Sequence, residues 1–152
     1  MRTLRIIAAA VALAAIPAAL ASADAVRTVV SSTPASGAPG YMLDLYKVDI
    51  PAGTVLPLHY HPGSQVSRIM RGVLRYTVVK GYAYETTPNP VAGGAPAMAK
   101  IKQGQTVNIE AGHGLVEPRG MQHTASAPKG PVMVMLSILR PKDQPATIVV
   151  TP

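Results

Sequence analysis

Two segments of this chain hold its four histidines, three of them at spacings that suit metal ligands. The first segment, residues 53–72, reads GTVLPLHYHPGSQVSRIMRG, and the second, residues 112–127, reads GHGLVEPRGMQHTASA. If the run from Val55 to His61 is extended, the two-residue period of a strand places His59 and His61 on one face, where two imidazoles can hold one ion. Pro62, Gly63 and Ser64 then turn the chain, so that Gln65 opens the next strand beside them. The turn resets the strand parity and leaves open whether Gln65 points inward. Its amide oxygen can ligate a metal, as a neutral and weaker donor than a carboxylate. Pro118, Arg119 and Gly120 form a second turn before His123, a third imidazole on a different strand. An H-x-H pair alone is as readily coincidence as a site; three imidazoles with an open position describe a catalytic centre rather than a closed structural one.

Such ligands need a scaffold, and 152 residues supply one domain with a core of its own. Cysteine is absent, which excludes disulfide frameworks, thiolate metal sites and cysteine nucleophiles. No stretch of the chain after the N-terminal region keeps a 3.6-residue apolar period for three turns, whereas Gly and Pro punctuate it every few residues. The expected strands are Val26 to Ser31, Met42 to Ile50, Thr54 to Tyr60, Gln65 to Met70, Val73 to Lys80, Lys100 to Ile109, Gly114 to Glu117, His123 to Ala127, Val132 to Leu139 and Thr147 to Val150. Many short strands argue for an all-β sandwich or barrel. The run VMVMLSIL from Val132 is apolar on both parities and reads as a strand covered on both faces. The stretch from Ser31 to Gly40 reads as a linker-like lead-in, and Glu85 to Ala99, with three prolines and two glycines, reads as a long mobile loop.

Residues 1–23 differ from the rest. Arg2 and Arg5 precede an apolar run from Ile6 to Leu20 and then the small residues Ala21, Ser22 and Ala23, the three-part pattern of a secretory signal peptide. Cleavage is expected after Ala23 or after Ala25. The apolar run falls short of the roughly 20 residues that span a bilayer, so no stable membrane insertion is expected after cleavage. The product is expected to be exported from a bacterial cell, to the periplasm or beyond. Loss of Arg2 and Arg5 leaves 12 basic residues against 7 acidic ones. The basic residues are dispersed and Phe and Trp are absent, so neither the basic stripe nor the aromatic platform of a nucleic-acid binder is present.

The two segments resemble the two motifs of the cupin superfamily, G-x5-H-x-H-x3,4-E-x6-G and G-x5-P-x-G-x2-H-x3-N. Gly53, His59, His61 and Gly72 match the first, and Gly112, Pro118, Gly120 and His123 match the second. The resemblance covers about Tyr41 to Leu139 and implies a small, single-domain type-2 cupin: an antiparallel jelly-roll β-barrel over residues 41–152, preceded by an N-terminal strand and linker over 24–40. It also implies a homodimer. Two positions depart from the pattern. Gln65 stands in place of the glutamate ligand and Ala127 in place of the asparagine; the second alters a turn, the first removes the ligand charge that would compensate a divalent ion.

The implied metal site is His59, His61, Gln65 and His123, holding Fe, Mn, Ni, Cu or Zn. The implied activity is that of a metal-dependent enzyme acting on a small organic molecule, of dioxygenase, isomerase or lyase type. A non-catalytic binding barrel for a sugar or an aromatic acid is the alternative from another class, and a dimer with a relic site is a third. None of Asp44, Asp49, Glu85, Glu110 and Glu117 occupies a ligand position of the motifs, and Glu117 is the nearest to them. If the strands run as the resemblance implies, Ser67, Ile69, Leu74, Tyr76 and Met135 line the cavity. Tyr60 faces away from the histidines, Arg68 and Arg71 point outward, and His113 is a surface residue. Tyr82 and Tyr84 flank an entrance or pack a strand end.

Overall fold

A computed structural model describes residues 24–89, 91 and 93–151. The signal-peptide pattern of residues 1–23 lies outside these described residues. Twelve strands follow one another: β1 Val26–Pro34, β2 Tyr41–Ile50, β3 Val55–Tyr60, β4 Ser64–Arg71, β5 Val73–Lys80, β6 Tyr82–Thr87, β7 Ala97–Lys102, β8 Thr106–Glu110, β9 Gly114–Glu117, β10 Gln122–Ser126, β11 Val132–Pro141 and β12 Ile148–Val149. All pairings are antiparallel. Seven strands form one sheet in the order β1-β2-β11-β4-β9-β6-β7, and five form the other in the order β12-β3-β10-β5-β8. This is the all-β jelly roll expected from the sequence, with one difference: among the described residues no strand pair joins the sheets into a closed barrel.

Alternation of side chains fixes which face of each strand meets the core. On β2, Asp44, Tyr46, Val48 and Ile50 are buried, and on β11 Val132, Val134, Leu136 and Ile138 are buried. These inward sets pack with Ile69, Leu74, Tyr76, Val78, Ile109 and Leu115 between the sheets. The other face of β11 is only partly covered: Met133, Met135 and Ser137 are half-buried and Leu139 is exposed. Its apolar residues on both parities therefore reflect a strand central in its sheet, between β2 and β4, rather than one packed on both faces.

Three local expectations are corrected. Residues 100–109 are not one strand, because a turn at Gly104, whose N–H donates to the Val78 carbonyl at 2.8 Å, separates β7 from β8. The segment from Glu85 to Ala99 is not loop throughout: β6 and β7 form a ladder in which Glu85 faces Ala99 and Thr87 faces Ala97. Pro88 and Pro96 fall in the connection, where no ladder hydrogen bond is lost. The lead-in also begins later than expected, since β1 runs on to Pro34 and pairs with β2 along its length.

The turns bounding the histidine segments depend on glycine. Gly72 joins β4 to β5 at φ 83°, and a Cβ there would also lie 2.5 Å from the Pro131 carbonyl oxygen. Gly120, at φ 76°, donates its N–H to the His61 carbonyl at 2.9 Å and so ties the second histidine segment to the first.

Candidate metal centre

His59 and His123 are register partners on β3 and β10, and His61 follows the end of β3 on the same face as His59. All three are buried, at 6%, 4% and 3% exposure. Their ring centroids are 4.1 Å apart for His59 and His123, and 5.3 Å for each pair that includes His61. One ligand nitrogen from each lies within 4.8 Å of the others, so the group could hold a metal ion. The Nδ1 atoms are already engaged. His59 Nδ1 bonds the Pro57 carbonyl at 2.6 Å, and His61 Nδ1 bonds the Ala146 carbonyl at 2.7 Å. A carbonyl only accepts, so both Nδ1 atoms carry the proton and both Nε2 lone pairs are left for a cation. His123 Nδ1 lies 3.2 Å from the Met121 sulfur.

Gln65 points inward, which the sequence left open. It is 6% exposed on β4 and sits directly opposite Glu117 on β9. Its Nε2 donates to Glu117 Oε2, and its Oε1 is buried with no hydrogen-bond partner among the described residues. Glu117 is itself 2% exposed. Its Oε1 accepts the Tyr76 hydroxyl at 2.6 Å and lies 3.5 Å from His123 Nε2, while Oε2 lies 3.8 Å from His61 Nε2. This carboxylate occupies no ligand position of the two motifs, and the fold places it in the site. The signal was available in part, since Glu117 ends a strand immediately before the Pro118 turn that aims His123, but only the β4–β9 register brings it to Gln65.

Burial dominates the electrostatics. It pushes His123 down to about 3, against the attraction of Glu117, and it lowers His59 as well, so both rings are neutral at pH 7 and suited to ligation. Burial alone would raise the Glu117 carboxyl; the imidazoles of His123 and His61 and the hydrogen bonds from Tyr76 and Gln65 outweigh it, and the group is held below the usual range. Burial, with the charge of Glu117 and its hydrogen bond, raises the Tyr76 phenol. Three converging imidazoles, a buried carboxylate and an amide oxygen without a partner among the described residues fit a divalent transition metal. A buried acceptor without a donor otherwise costs about 1–3 kcal/mol.

These groups line a cavity of about 60 Å³ between the sheets, walled by Val48, Leu56, Leu74, Val134 and Leu136. A second, of about 310 Å³, adjoins it through Arg27, Val48, Leu56 and His59. Ser67, Leu74 and Tyr76 line the inner cavity as expected. Met135 does not, because it has the outward parity of β11, and Ile69 packs in the core instead. Arg68 and Arg71 are exposed. His113 is half-buried and pairs with Glu85 at 2.7 Å, apart from the triad. Tyr82 and Tyr84 stack edge to face on β6 and line neither cavity. Ala127 is fully buried and extends the β3–β10 pairing through backbone bonds with Gly53 and Thr54.

No family model and no curated protein matches the sequence. Solved structures do match its fold. A cupin 2 domain-containing protein from Halorhodospira halophila aligns with TM-score 0.52 and 13% identity over 84% of this chain and 70% of its own. The chain has the cupin fold. A cupin 2 conserved barrel domain protein from Leptotrichia buccalis aligns with TM-score 0.50 and 15% identity over 77% of the chain. The oxalate decarboxylase of Lactobacillus farciminis aligns with TM-score 0.48 and 17% identity over 71%. The cupin-fold chain spans 41% of the Leptotrichia protein and 26% of the decarboxylase.

Proposed function

We propose that the chain is a member of the cupin superfamily that holds a divalent transition metal with His59, His61 and His123 and acts on a small organic molecule. The observation that carries this reading is the convergence of three buried imidazoles, two with Nδ1 committed to backbone carbonyls. Gln65 supplies a further oxygen through its unpaired Oε1. A bound ion of this kind supplies Lewis acidity toward a substrate oxygen. The chain's own groups do the rest. The aliphatic walls exclude water, and Arg27 recruits the substrate. Arg27 lines both cavities, donates to Thr147 Oγ1 at 2.6 Å, and has no carboxylate partner among the described residues. A guanidinium so placed favours a substrate bearing a carboxylate. The deciding experiment is elemental analysis of untagged protein from its native compartment. About one ion per chain is the expected result, and less than about a tenth of an ion after metal supplementation would leave only a metal-free binding barrel.

Two further expectations belong to the same reading. Export rests on the pattern of residues 1–23, and is tested by fractionation with N-terminal sequencing of the mature chain. Homodimer formation is supported by Leu43 and Leu139, exposed register partners on β2 and β11, with Val66 exposed on the adjacent β4. Apolar residues gathered on one sheet face suit a second copy. Sedimentation should give a dimer, and Val66→Glu should shift it toward monomer.

A further inference from the structure

We infer that Glu117 is the anionic ligand of this centre, supplying from β9 the carboxylate that β4 lacks at Gln65. The inference rests on the metal-binding reading and specifies which side chain carries its negative charge. Gln65 and Glu117 are direct register partners, and both are buried. Exchanging an amide and a carboxylate between such partners moves the charge across one strand spacing without taking it out of the cavity. The geometry suits ligation. Donor atoms sharing one tetrahedral ion at about 2.1 Å lie about 3.4 Å from one another, and the Glu117 oxygens lie 3.5 Å from His123 Nε2 and 3.8 Å from His61 Nε2.

The surroundings of the carboxylate point the same way. A fully buried carboxylate needs compensation, by hydrogen bonds and by positive charge. Glu117 has the hydrogen bonds, from Tyr76 to Oε1 and from Gln65 to Oε2. It has no lysine or arginine partner among the described residues; its only ion-pairing neighbours there are His61 and His123, two of the metal-site imidazoles themselves. The missing positive charge is what a divalent cation among these imidazoles provides. Gln65 then has a role that glutamate at position 65 would not fill, because a carboxylate there would repel Glu117, whereas the amide holds it by donation. Tyr76 is a positioning residue in this arrangement, and Gln65 positions Glu117 through its Nε2 while its Oε1 stays free to ligate.

The test is Co(II) binding by the full mature chain, followed by competition titration and by the visible d–d spectrum, which reports the ligand set without any assay of activity. Glu117→Gln is close in volume, and its fold is checked by circular dichroism. This variant is expected to bind Co(II) at least about tenfold more weakly than the unaltered chain and with a changed spectrum. The exchanged pair Gln65→Glu with Glu117→Gln, which returns the carboxylate to β4, is expected to recover most of the lost affinity. Should Glu117→Gln bind as tightly as the unaltered chain with the same spectrum, while His123→Ala has lost binding, the assignment of Glu117 is overturned and the metal site stands. Absence of Co(II) binding by the unaltered chain overturns both. If Glu117→Gln fails to fold, the exchanged pair decides: a folded exchange variant without Co(II) affinity overturns the inference.

Discussion

His59 and His123 face each other across β3 and β10 as register partners, their ring centroids 4.1 Å apart. Two imidazoles held this close by a ladder need no rearrangement to share an ion. Replacing either by alanine removes a ligand nitrogen, and at His123 it also opens a buried gap beside Tyr76. His59→Ala and His123→Ala are each expected to weaken binding of a divalent transition metal by more than about a hundredfold, beyond the effect of losing a supporting hydrogen bond alone. Isothermal titration with Zn(II) checks this.

Metal removal should be visible in stability. Among the described residues the Gln65 amide oxygen is buried without a partner, and the Glu117 carboxylate without a lysine or arginine. An ion present at a hundred times its dissociation constant stabilises the native state by about 2.7 kcal/mol. In a domain of this size that corresponds to a rise in Tm of roughly 10 °C. Calorimetry before and after chelation measures it; an unchanged Tm with loaded protein would contradict a bound ion at this site.

Arg27 offers a test of substrate class. Its guanidinium lies 5.4 Å from the Tyr46 ring centroid and borders both cavities. Hydrogen bonds to charged groups are worth about 1.5–3 kcal/mol. Arg27→Met is therefore expected to weaken binding of a small carboxylate such as acetate to the metal-loaded protein by about tenfold or more, while leaving binding of a neutral alcohol unchanged. Competition measured by NMR distinguishes the two.

The pH dependence of stability is expected to involve a cluster away from the histidines. Asp44 is 1% exposed; burial would raise its carboxyl, but hydrogen bonds from Ser32, Arg140 and Tyr46 and the charge of Arg140 bring it below the usual range. Arg140 Nε lies 2.6 Å from it. A carboxyl with a depressed folded-state pKa contributes stability that is complete above its unfolded value near 3.9, and that contribution is lost as pH falls through the folded value. Asp44→Asn is expected to cost about 3 kcal/mol at pH 7 and to flatten the loss of stability below about pH 4. Urea titrations at several pH values check both.

Much of this protein was legible locally. Strand alternation places His59 and His61 on one face, turn chemistry separates β3 from β4 and β9 from β10, and the spacing of Gly53, Gly72, Gly112 and Gly120 gives the jelly roll by resemblance. Where reading failed, local pattern was ambiguous. The proline-rich stretch after Tyr82 hid β6 and β7 because its prolines suggested loop, although Pro88 and Pro96 occupy only the connection between the strands. The apolar run on β11 suggested cover on both faces because a central strand and a doubly packed one share the same composition.

Most of the strands, the turns beside the histidines and the pairing of His59 with His61 on one face could be read from the chain alone, since these follow from interactions within a few residues. The character of the centre comes from long-range pairing. Which way Gln65 points depends on a parity reset in a turn, and what it meets depends on the register of β4 against β9, between residues 52 positions apart. Register is set by long-range packing of inward faces, so no local pattern reveals that an amide on one strand is answered by a buried carboxylate on the next.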